Sequence, residues 1–419
     1  MKNKQLLYSV IVAFLTIISL WAIPELVKTA SVSPNNAPFV YYSAPERKFL
    51  IRETGRNKNK FHDDEGKTYT DKEYDTALPL LNFRQLTING EMPDSVLGIA
   101  IDPRQLRTKQ VHFRYSPIEM HTPNIGLYIM YESLPKKAKL ESPGDVFQIK
   151  KNIEFIDVQT NAVNKDKSEK FQSALLKAGY TFPEQWTSGN LNIRKPYDEG
   201  YFSLDNKNKL FHVKMVNGRP FVRDTKLDSR IEPAFFSMLE VADKRFYGFL
   251  FDKAGNVYIV EEKSGKYNAL QLDINHFNPH KDELMILGNM LYWTVAVKTD
   301  NGKHYYALDT ETLQQQRYLH IKADDNRWNV ISKWLFPVYL TFKDTDKHSE
   351  FIKPRLNFTD RNALAINLLL ALTAIFIFHR ESRKKTACKS LYTLIFGIAG
   401  IVALLVLEFA TRTNNNKHL

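Results

Sequence analysis

Apolar segments at the two ends of the chain limit what it can fold into. Two runs near the C-terminus, Ala363–Phe378 and Leu391–Ala410, flank a short basic segment, and a third, Gln5–Ile23, lies near the N-terminus. A helix rises about 1.5 Å per residue and a bilayer core is about 30 Å thick, so roughly 20 apolar residues cross it. The pattern predicts three transmembrane helices, namely an N-terminal anchor over 1–30 and a C-terminal hairpin over 363–410, although the first C-terminal run is somewhat short.

The N-terminal run has two interpretations. Pro24 is predicted to end its helix. A cleaved signal peptide needs small residues in an A-x-A-like pattern at the cut. Lys28 and Leu20 occupy positions where a small residue is needed in the two possible sites. An uncleaved anchor is therefore favoured, with cleavage as the alternative.

The basic residues beside these runs predict their orientation. Short cytoplasmic segments carry an excess of Lys and Arg. Lys2 and Lys4 precede the first run, and the hairpin loop contains Arg380, Arg383, Lys384, Lys385 and Lys389. Both segments are cytoplasmic only if the body between them is exported. We therefore expect a multi-pass bacterial inner-membrane protein with a cytoplasmic N-terminus, a periplasmic domain over 31–345, a juxtamembrane linker over 346–362 and a tail over 411–419 that ends outside.

Composition narrows the class of partner. The net charge is +12 over 419 residues, but the basic residues are spread along the chain, and no nucleic-acid-binding motif occurs. We expect a lipid bilayer as partner and no nucleic acid. Cys388 is the only cysteine, so an internal disulfide is impossible, and a spectator thiol is favoured over a reactive or lipidated site.

The body between the apolar ends has mainly the pattern of β-structure. Residues 31–62 are polar and irregular apart from one short strand at FVYYSA. Strands are then predicted from segments rich in β-branched and aromatic residues, which are Val96–Ile101, Val111–Tyr115, Leu127–Tyr131 and Val146–Val158.

Two helical insertions interrupt this pattern. Thr70 and Glu73 form a capping box at the start of a helix that Pro79 is predicted to break into two. A second, amphipathic helix begins near Lys165 and is predicted to stop at Gly179.

An internal repeat is the clearest pattern in the body. Three segments begin at Tyr201, Tyr247 and Tyr292, which are 46 and 45 residues apart by subtraction. Each reads as three strands joined by polar turns. A period near 45 residues with about four strands is typical of a propeller blade. The repeat predicts a propeller-like domain or, as the alternative, a plain antiparallel sheet array.

An aromatic-rich segment follows the repeat and ends about 20 residues before the membrane hairpin. It contains Trp328, Trp334, Phe336, Tyr339 and Phe342. Aromatic rings favour the membrane interface. The segment is either a helix or strand on the outer leaflet or the final strand of the soluble core.

The body resembles a family of bacterial membrane proteins that carry a domain of unknown function. The resemblance rests on DEGKTYTDKEYDTALPLLNFRQL, MPDSVLGIAID, ESPGDVFQIKKNIEFIDVQTNAVNKDKSEKF and the repeat units, and it covers most of Lys67–Phe342. It implies an exported β-rich domain with C-terminal helices and no assigned activity. It also implies an association with ATP-driven (ABC) transporters, whose permease or ATPase subunits are then possible partners.

Candidate metal sites are few. His276 and His280, with Asp273, Met285 and Met290 nearby, have side chains that suit copper or zinc, but a polar loop is favoured. The acidic turn His62–Glu65 lacks the ligand spacing of a calcium loop and is interpreted as a solvated turn. The same applies to the cluster of Asp344, Asp346, His348 and Glu350.

Asp residues in the repeat units are assigned to turns. Asp205, Asp252 and Asp300 precede Gly or Asn, where short side chains close turns.

Polar residues in the C-terminal apolar runs predict helix packing. Glu408 lies near the outer end of its run, and an interfacial position is favoured. Asn367 is expected to hydrogen-bond another helix, and Gly397 and Gly400 to allow close backbone approach.

No catalytic, cofactor-binding or metal-binding residue is predicted, because GxxxxGK, HExxH, GxSxG, CxxC and GxGxxG are all missing from the sequence. The sequence predicts a non-enzymatic accessory or interaction subunit of an inner-membrane transport or envelope complex. A periplasmic sensor or ligand-binding membrane protein is the alternative, and an enzyme is the third possibility.

Overall fold

The structure, a computed structural model, describes residues 2–31, 38–55, 58–122, 125–137, 139–275, 277–322, 327–343 and 353–415. The chain forms two compact units. The first, which we call the β unit, is Ala37–Lys322. The second, which we call the helical unit, combines Met1–Asn36 with Ala323–Leu419.

Antiparallel meanders build the β unit. The first sheet contains β1 (Phe39–Ser43), β2 (Lys48–Glu53), β3 (Lys60–Asp63) and β4 (Thr68–Tyr69). A second sheet contains β10 (Trp186–Gly189), β11 (Tyr201–Leu204), β12 (Leu210–Val216) and β13 (Arg219–Asp224). A third sheet contains β14 (Pro233–Met238), β15 (Gly248–Asp252), β16 (Val257–Lys263) and β17 (Lys266–Gln271).

The last sheet of the β unit has five strands. Four are consecutive: β18 (Glu283–Gly288), β19 (Tyr292–Thr299), β20 (Gly302–Asp309) and β21 (Gln315–Lys322). The fifth, β7 (Val111–Tyr115), comes from much earlier in the chain and pairs with β18, with Phe113 opposite Ile286.

Smaller elements connect these sheets. Two hairpins are formed by β5 (Ser95–Val96) with β6 (Ile99–Ala100), and by β8 (Asp145–Ile149) with β9 (Ile153–Asp157). The helices are α2 (Asp71–Ala77), α3 (Phe83–Asn89), α4 (Pro103–Thr108), α5 (Pro117–His121) and α6 (Lys165–Ala178).

The repeat is confirmed as antiparallel sheet structure, with its boundary shifted by one strand. Tyr201 and Tyr292 begin β11 and β19, and Tyr247 directly precedes β15. Each of these is the second strand of its sheet, since β10, β14 or β18 comes first. The first strands share no sequence signal, which explains why the predicted units contain three strands.

Both helical insertions are confirmed. The Thr70 hydroxyl accepts from the Glu73 amide, and the Glu73 carboxylate accepts from the Thr70 amide at 2.8 Å. The chain then breaks between α2 and α3. The helix α6 ends at Gly179, whose φ of 87° is left-handed.

The first part of the β unit differs from the prediction. The strands β1 to β4 form a four-stranded sheet where one short strand in an irregular segment was predicted. The pattern was missed because the side chains of β1 and β2 are buried on both faces and show no alternation. The predicted strand Leu127–Tyr131 is reduced to a single bridge between Tyr128 and Phe147.

Aromatic side chains fill the cores of the β unit. The largest cluster contains Trp293, Phe249 and Tyr306, each at most 1% exposed. Phe113 of β7 stacks on Phe249 with ring centroids 4.1 Å apart. Complete burial of one such ring contributes about 1.5–3 kcal/mol, so these residues stabilise the sheet packing.

The helical unit contains α1 (Lys2–Ser31), α7 (Arg327–Leu335), β22 (Val338–Lys343), β23 (Lys353–Phe358), α8 (Ala363–Ile377) and α9 (Arg383–Asn415). The prediction that Pro24 ends the first helix is wrong, because α1 continues through it. Pro removes one backbone donor, and such a gap is tolerated in apolar helices.

Among the described residues, two helical segments and not three have the length and composition to cross a bilayer: Leu6–Ser31 and Arg383–Phe409. The predicted third span, α8, has 15 residues. Its length is therefore about 22 Å, which is less than a bilayer core of about 30 Å.

The long helix α9 is not straight. Gly397 has φ 57° and ψ −133°, which breaks the helix. A Cβ placed on Gly400 would lie 3.3 Å from the carbonyl oxygen of Tyr392. The Lys389 ammonium lies 3.8 Å from a carboxylate oxygen of Glu408. In a continuous helix these pairs would be about 12 Å and 28 Å apart along the axis, so the limbs 383–396 and 398–415 fold back on each other.

The aromatic-rich segment belongs to the helical unit and not to the β unit. It forms α7 followed by β22, which pairs with β23. The unit boundary therefore falls at Lys322, and part of the predicted linker 346–362 is a β-strand. Trp21 of α1 meets Phe342 edge to face at 5.7 Å.

Candidate functional site

The acidic turn at residues 62–65 is ion-paired rather than merely solvated. Lys48 contacts Asp63 at 3.1 Å and Glu65 at 2.7 Å. Arg317 of β21 contacts Asp64 at 2.6 Å and Glu65 at 3.0 Å. Lys48, together with Arg317, holds the pKa of Glu65 below its ordinary value. The turn joins the first sheet to the last, and its carboxylates are occupied by cations of the chain.

The other residues considered as metal ligands either lie outside the described residues or have contacts within the chain. His276 and the cluster of Asp344, Asp346, His348 and Glu350 lie outside the described residues. Asp273 accepts a hydrogen bond from the Gln315 amide, and Met285 and Met290 pack in hydrophobic clusters. Within the described part of the chain, no group of three or more His, Cys, Asp or Glu side chains could hold a metal ion.

Asp205 and Asp252 close turns as predicted. The Asp205 carboxylate accepts from the amides of Lys207 and Lys209, each at 2.8 Å. The Asp252 carboxylate accepts from the Asn256 amide and the Tyr258 hydroxyl. The turn after β19 differs, because the Thr299 hydroxyl accepts from the Asn301 amide there.

Asp63 closes a turn in the same way as Asp205 and Asp252. This role of Asp63 was not predicted from the sequence. Its carboxylate accepts from the amides of Glu65 and Lys67. Gly66, Asn208 and Gly255 are each the third residue after the Asp, and all three have positive φ. The sequence signal for this turn is therefore an Asp followed three residues later by Gly or Asn.

A buried ionic cluster lies in the β unit around Lys195. The Lys195 ammonium lies 2.5 Å from Asp198, 2.8 Å from Glu240 and 2.8 Å from the carbonyl oxygen of Asn190. The three charged side chains are at most 2% exposed. These contacts use all three donors of the ammonium group. We call Lys195, Asp198 and Glu240 the Lys195 cluster.

Surrounding donors satisfy the carboxylates of the Lys195 cluster. Asp198 accepts from the Ser133 hydroxyl at 2.9 Å and the Gly200 amide at 3.1 Å. Glu240 accepts from the side chain of Asn190 at 2.6 Å and the amide of Glu199 at 3.1 Å. Burial raises the pKa of Glu240 despite the neighbouring lysine. The cluster thus fixes three chain segments together and leaves no open position for a substrate.

His212 lies next to this cluster, completely buried. Its Nε2 is 2.6 Å from the Glu199 carbonyl oxygen, and its Nδ1 is 2.8 Å from the Tyr267 hydroxyl. The ring stacks on Phe202 at 4.7 Å. Burial lowers the pKa of His212 to about 3, so it is neutral at pH 7. Nε2 then donates to the carbonyl and Nδ1 accepts from the hydroxyl, which gives His212 a structural role.

A polar hollow lies between α2 and α3 in the β unit. Its volume is about 330 Å³, and its lining contains Asp71, Lys72, Asp75, Gln85, Leu86, Asn89 and Glu91. Lys72 and Glu91 pair across it at 2.7 Å. Ligand sites are usually lined mainly by apolar side chains, so this hollow does not have the character of one.

The helical unit brings its polar residues together at two places. The Asn367 side chain donates to the Leu394 carbonyl oxygen at 2.9 Å, as expected for a residue that bonds a neighbouring helix. Lys389 contacts Glu381 at 2.6 Å as well as Glu408. The interfacial interpretation of Glu408 did not foresee this internal pairing. Cys388 is exposed.

These features define a class: a mainly β protein of antiparallel sheets that carries apolar helices at both ends of its chain. Residues 39–308 match DUF4857, a domain of unknown function. The match covers more than half of the chain, and the protein belongs to this family. A comparison with curated proteins finds no match.

Two solved structures have a slight likeness to the chain. The β-propeller domain of Myceliophteria thermophila Cps50 (Swd1) is 11% identical, with 48% of this chain and 58% of that chain covered and a TM-score of 0.26. Dihydro-heme d1 dehydrogenase NirN in complex with DHE is 8% identical, with 61% and 66% covered and a TM-score of 0.21. The chain spans less than two thirds of either one, and likeness at this level has no bearing on its function.

Proposed function

We propose that this protein is a membrane-anchored, non-enzymatic accessory or interaction subunit of an inner-membrane transport or envelope complex. Its helical unit lies in the cytoplasmic membrane of a bacterium, and its β unit is in the periplasm. The permease or ATPase subunits of an ABC transporter are the partners that the family resemblance favours. Any nucleotide site belongs to such a partner, because the chain has no phosphate-binding GxxxxGK motif.

The apolar exterior of the helical unit carries the proposal. Phe14 of α1 is 62% exposed, Leu369 of α8 63% and Phe376 79%. Other apolar side chains are also exposed on the outer faces of α1, α8 and α9. They include Leu6, Leu7, Val10, Ile17, Leu26, Leu364, Leu368, Leu372, Leu391, Ile395 and Val406. Soluble proteins rarely expose continuous apolar patches larger than a few hundred Å². Lipid is the solvent that suits such a surface.

The polar groups of the β unit support a binding role over a chemical one. The Lys195 cluster, His212 and the turn aspartates all have partners within the chain, and these contacts hold sheets and loops in place. The hollow between α2 and α3 has a mainly polar lining, which does not favour the aromatic pocket expected of a sensor.

Membrane fractionation tests the anchor, and affinity purification tests the partner. We expect the full-length protein to stay in the membrane pellet after carbonate extraction. In mild detergent we expect it to co-purify with a transporter permease or ATPase at a fixed ratio. A protein that behaves as a lone monodisperse species in several mild detergents would contradict the proposed partner. A reporter inserted near Lys263 that is active only in the cytosol would contradict the periplasmic position.

A further inference from the structure

The reversal of α9 depends on a glycine and on close contact with α8. At Gly397 the backbone has φ 57° and ψ −133°, a conformation that L side chains rarely adopt. A Cβ at this position would lie 2.4 Å from the side-chain oxygen of Asn367. Both the backbone angles and the space therefore require glycine.

Asn367 also replaces a backbone hydrogen bond that is lost where α9 reverses. In a continuous helix the Leu394 carbonyl would accept from the amide four residues later, beyond Gly397. The Asn367 side chain donates to this carbonyl instead, at 2.9 Å, and Asn367 is completely buried. Unpaired backbone groups are unfavourable in hydrocarbon, so the Asn367 amide stabilises the reversal by replacing the lost partner.

The two limbs and α1 bring their polar ends together. The Lys389 ammonium contacts Glu381 of the loop after α8 and Glu408 near the end of the second limb. Tyr8, near the start of α1, packs in one hydrophobic cluster with Phe378 at the end of α8 and Leu407 near the end of α9. At the opposite end, Leu20 of α1 clusters with Phe396 and Ala399 beside the reversal. The start of α1, the basic loop and the end of α9 therefore share one end of the helical unit.

We propose that the last apolar run is a re-entrant membrane hairpin that enters and leaves the bilayer on one face. The C-terminal tail then ends on the same side as Cys388 and the N-terminus, not on the opposite side as the sequence predicts. The two crossings of the bilayer are α1 and the short helix α8, around which the bilayer thins locally. That side presents the exposed Arg380, Arg383, Lys384 and Lys385 to the anionic headgroups of one leaflet. The inference rests on the proposed membrane anchor and specifies its topology.

Labelling with a membrane-impermeant maleimide in sealed vesicles of known orientation tests the topology. Native Cys388 reports the side of the loop. A Cys388→Ser protein with one cysteine appended after Leu419 reports the side of the tail. We expect both cysteines to react from the same side. Reaction from opposite sides would show that α9 crosses the bilayer and would overturn the inference. Release of the protein by carbonate would instead overturn the anchor itself, so the two failures are distinguishable.

Crosslinking tests the reversal without altering Gly397. In the Cys388→Ser background, Lys389→Cys with Glu408→Cys should form a disulfide or short bismaleimide crosslink. A straight helix would hold these positions about 28 Å apart and give none. Lys389→Cys with Ala399→Cys is the control pair, because position 399 lies beside the reversal, and it should not crosslink. Crosslinking of both pairs to the same extent would contradict the reversal, and so would a failure of both pairs to crosslink.

A variant at the reversal gives an independent check. Gly397→Val should move the tail label to the opposite side or abolish the 389–408 crosslink. Gly144→Ala, at an open position of the β unit with nothing within 4 Å, is the matched control and should change neither. A Gly397→Val protein that keeps both properties of the parent would overturn the requirement for glycine.

Discussion

The two units of this protein treat buried polar groups differently. In the β unit the Lys195 cluster is surrounded by donors and acceptors from three segments, and its charged side chains are almost completely buried. In the helical unit the side-chain amide of Asn367 replaces one hydrogen bond at one break, and Lys389 pairs with Glu381 and Glu408 at one end. The exposed faces of α1 and α8 carry mainly apolar side chains.

This difference teaches what water requires of the β unit and what lipid, the surroundings that we propose for the helical unit, requires of a helix backbone. A buried ion in a water-soluble core is tolerated only with a complete set of partners, because the unfolded state hydrates it fully. In lipid the backbone itself needs the partner, because neither state offers water. Substitutions should therefore have larger effects in the β unit than in the helical unit, and the four predictions below are ordered accordingly.

The largest effect is expected for Lys195→Met. The change leaves Asp198 and Glu240 buried without their cation, which typically costs about 3–5 kcal/mol of unfolding free energy. Thermal unfolding of the full-length protein in detergent, followed by circular dichroism, measures it. Lys170→Met removes an exposed pair with Asp166 and should leave the melting temperature unchanged. Similar melting temperatures for both variants would mean that the cluster contributes no stability.

Asp252→Ala should have the next largest effect. It removes the acceptor for the Asn256 amide and the Tyr258 hydroxyl and should cost about 2–3 kcal/mol. Asp300→Ala is the matched control in the turn that Thr299 closes, and a much smaller shift in melting temperature is expected there. Equal losses for the two variants would contradict the assignment of the turns.

The third prediction concerns pH. His212 has a folded pKa of about 3, below the ordinary value of 6.5. Between these values only the unfolded state binds the proton, so stability is complete above pH 6.5 and falls as the pH decreases towards 3. The loss at pH 5 is about 2 kcal/mol. Melting temperatures of the parent and of His212→Gln from pH 7.5 to 5 measure this slope. A parent and variant with identical slopes would show that another group is responsible.

Asn367→Ala should have the smallest effect of the four. Hydrogen bonds between membrane helices contribute about 0.6 kcal/mol on average and rarely more than about 1.7, because the unfolded chain in the membrane also finds partners. Graded denaturation of the helical unit in mixed detergent measures the change. Asn362→Ala, at an exposed position before α8, is the control. A loss of unfolding free energy as large as that expected for Lys195→Met would contradict the contrast between the two units.

Local signals predicted much of the secondary structure. The capping box at Thr70 and the glycine stop at Gly179 are contained within a few residues, and both are found as expected. The spacing of Tyr201, Tyr247 and Tyr292 likewise gave the repeating sheets. These features depend on neighbours in the sequence, which periodicity and capping rules describe well.

The features that the sequence did not predict depend on distant or single residues. The sheet β1–β4 has no alternation because both faces of its inner strands are buried. Lys195 and Asp198 are three residues apart, but Glu240 joins them only in the folded chain. The reversal at Gly397 rests on the backbone angles of one residue, and hydropathy along a run of apolar residues carries no information about those angles.

The strand β7 has a consequence for biogenesis. It is made early, yet its partner β18 lies some 170 residues later, so the final sheet cannot assemble until nearly the whole β unit has been synthesised. Long-range pairing of this kind slows folding and leaves an unsatisfied edge exposed meanwhile. A chain interrupted before residue 283 would keep that edge open, which makes it a natural substrate for chaperones and for quality-control proteases.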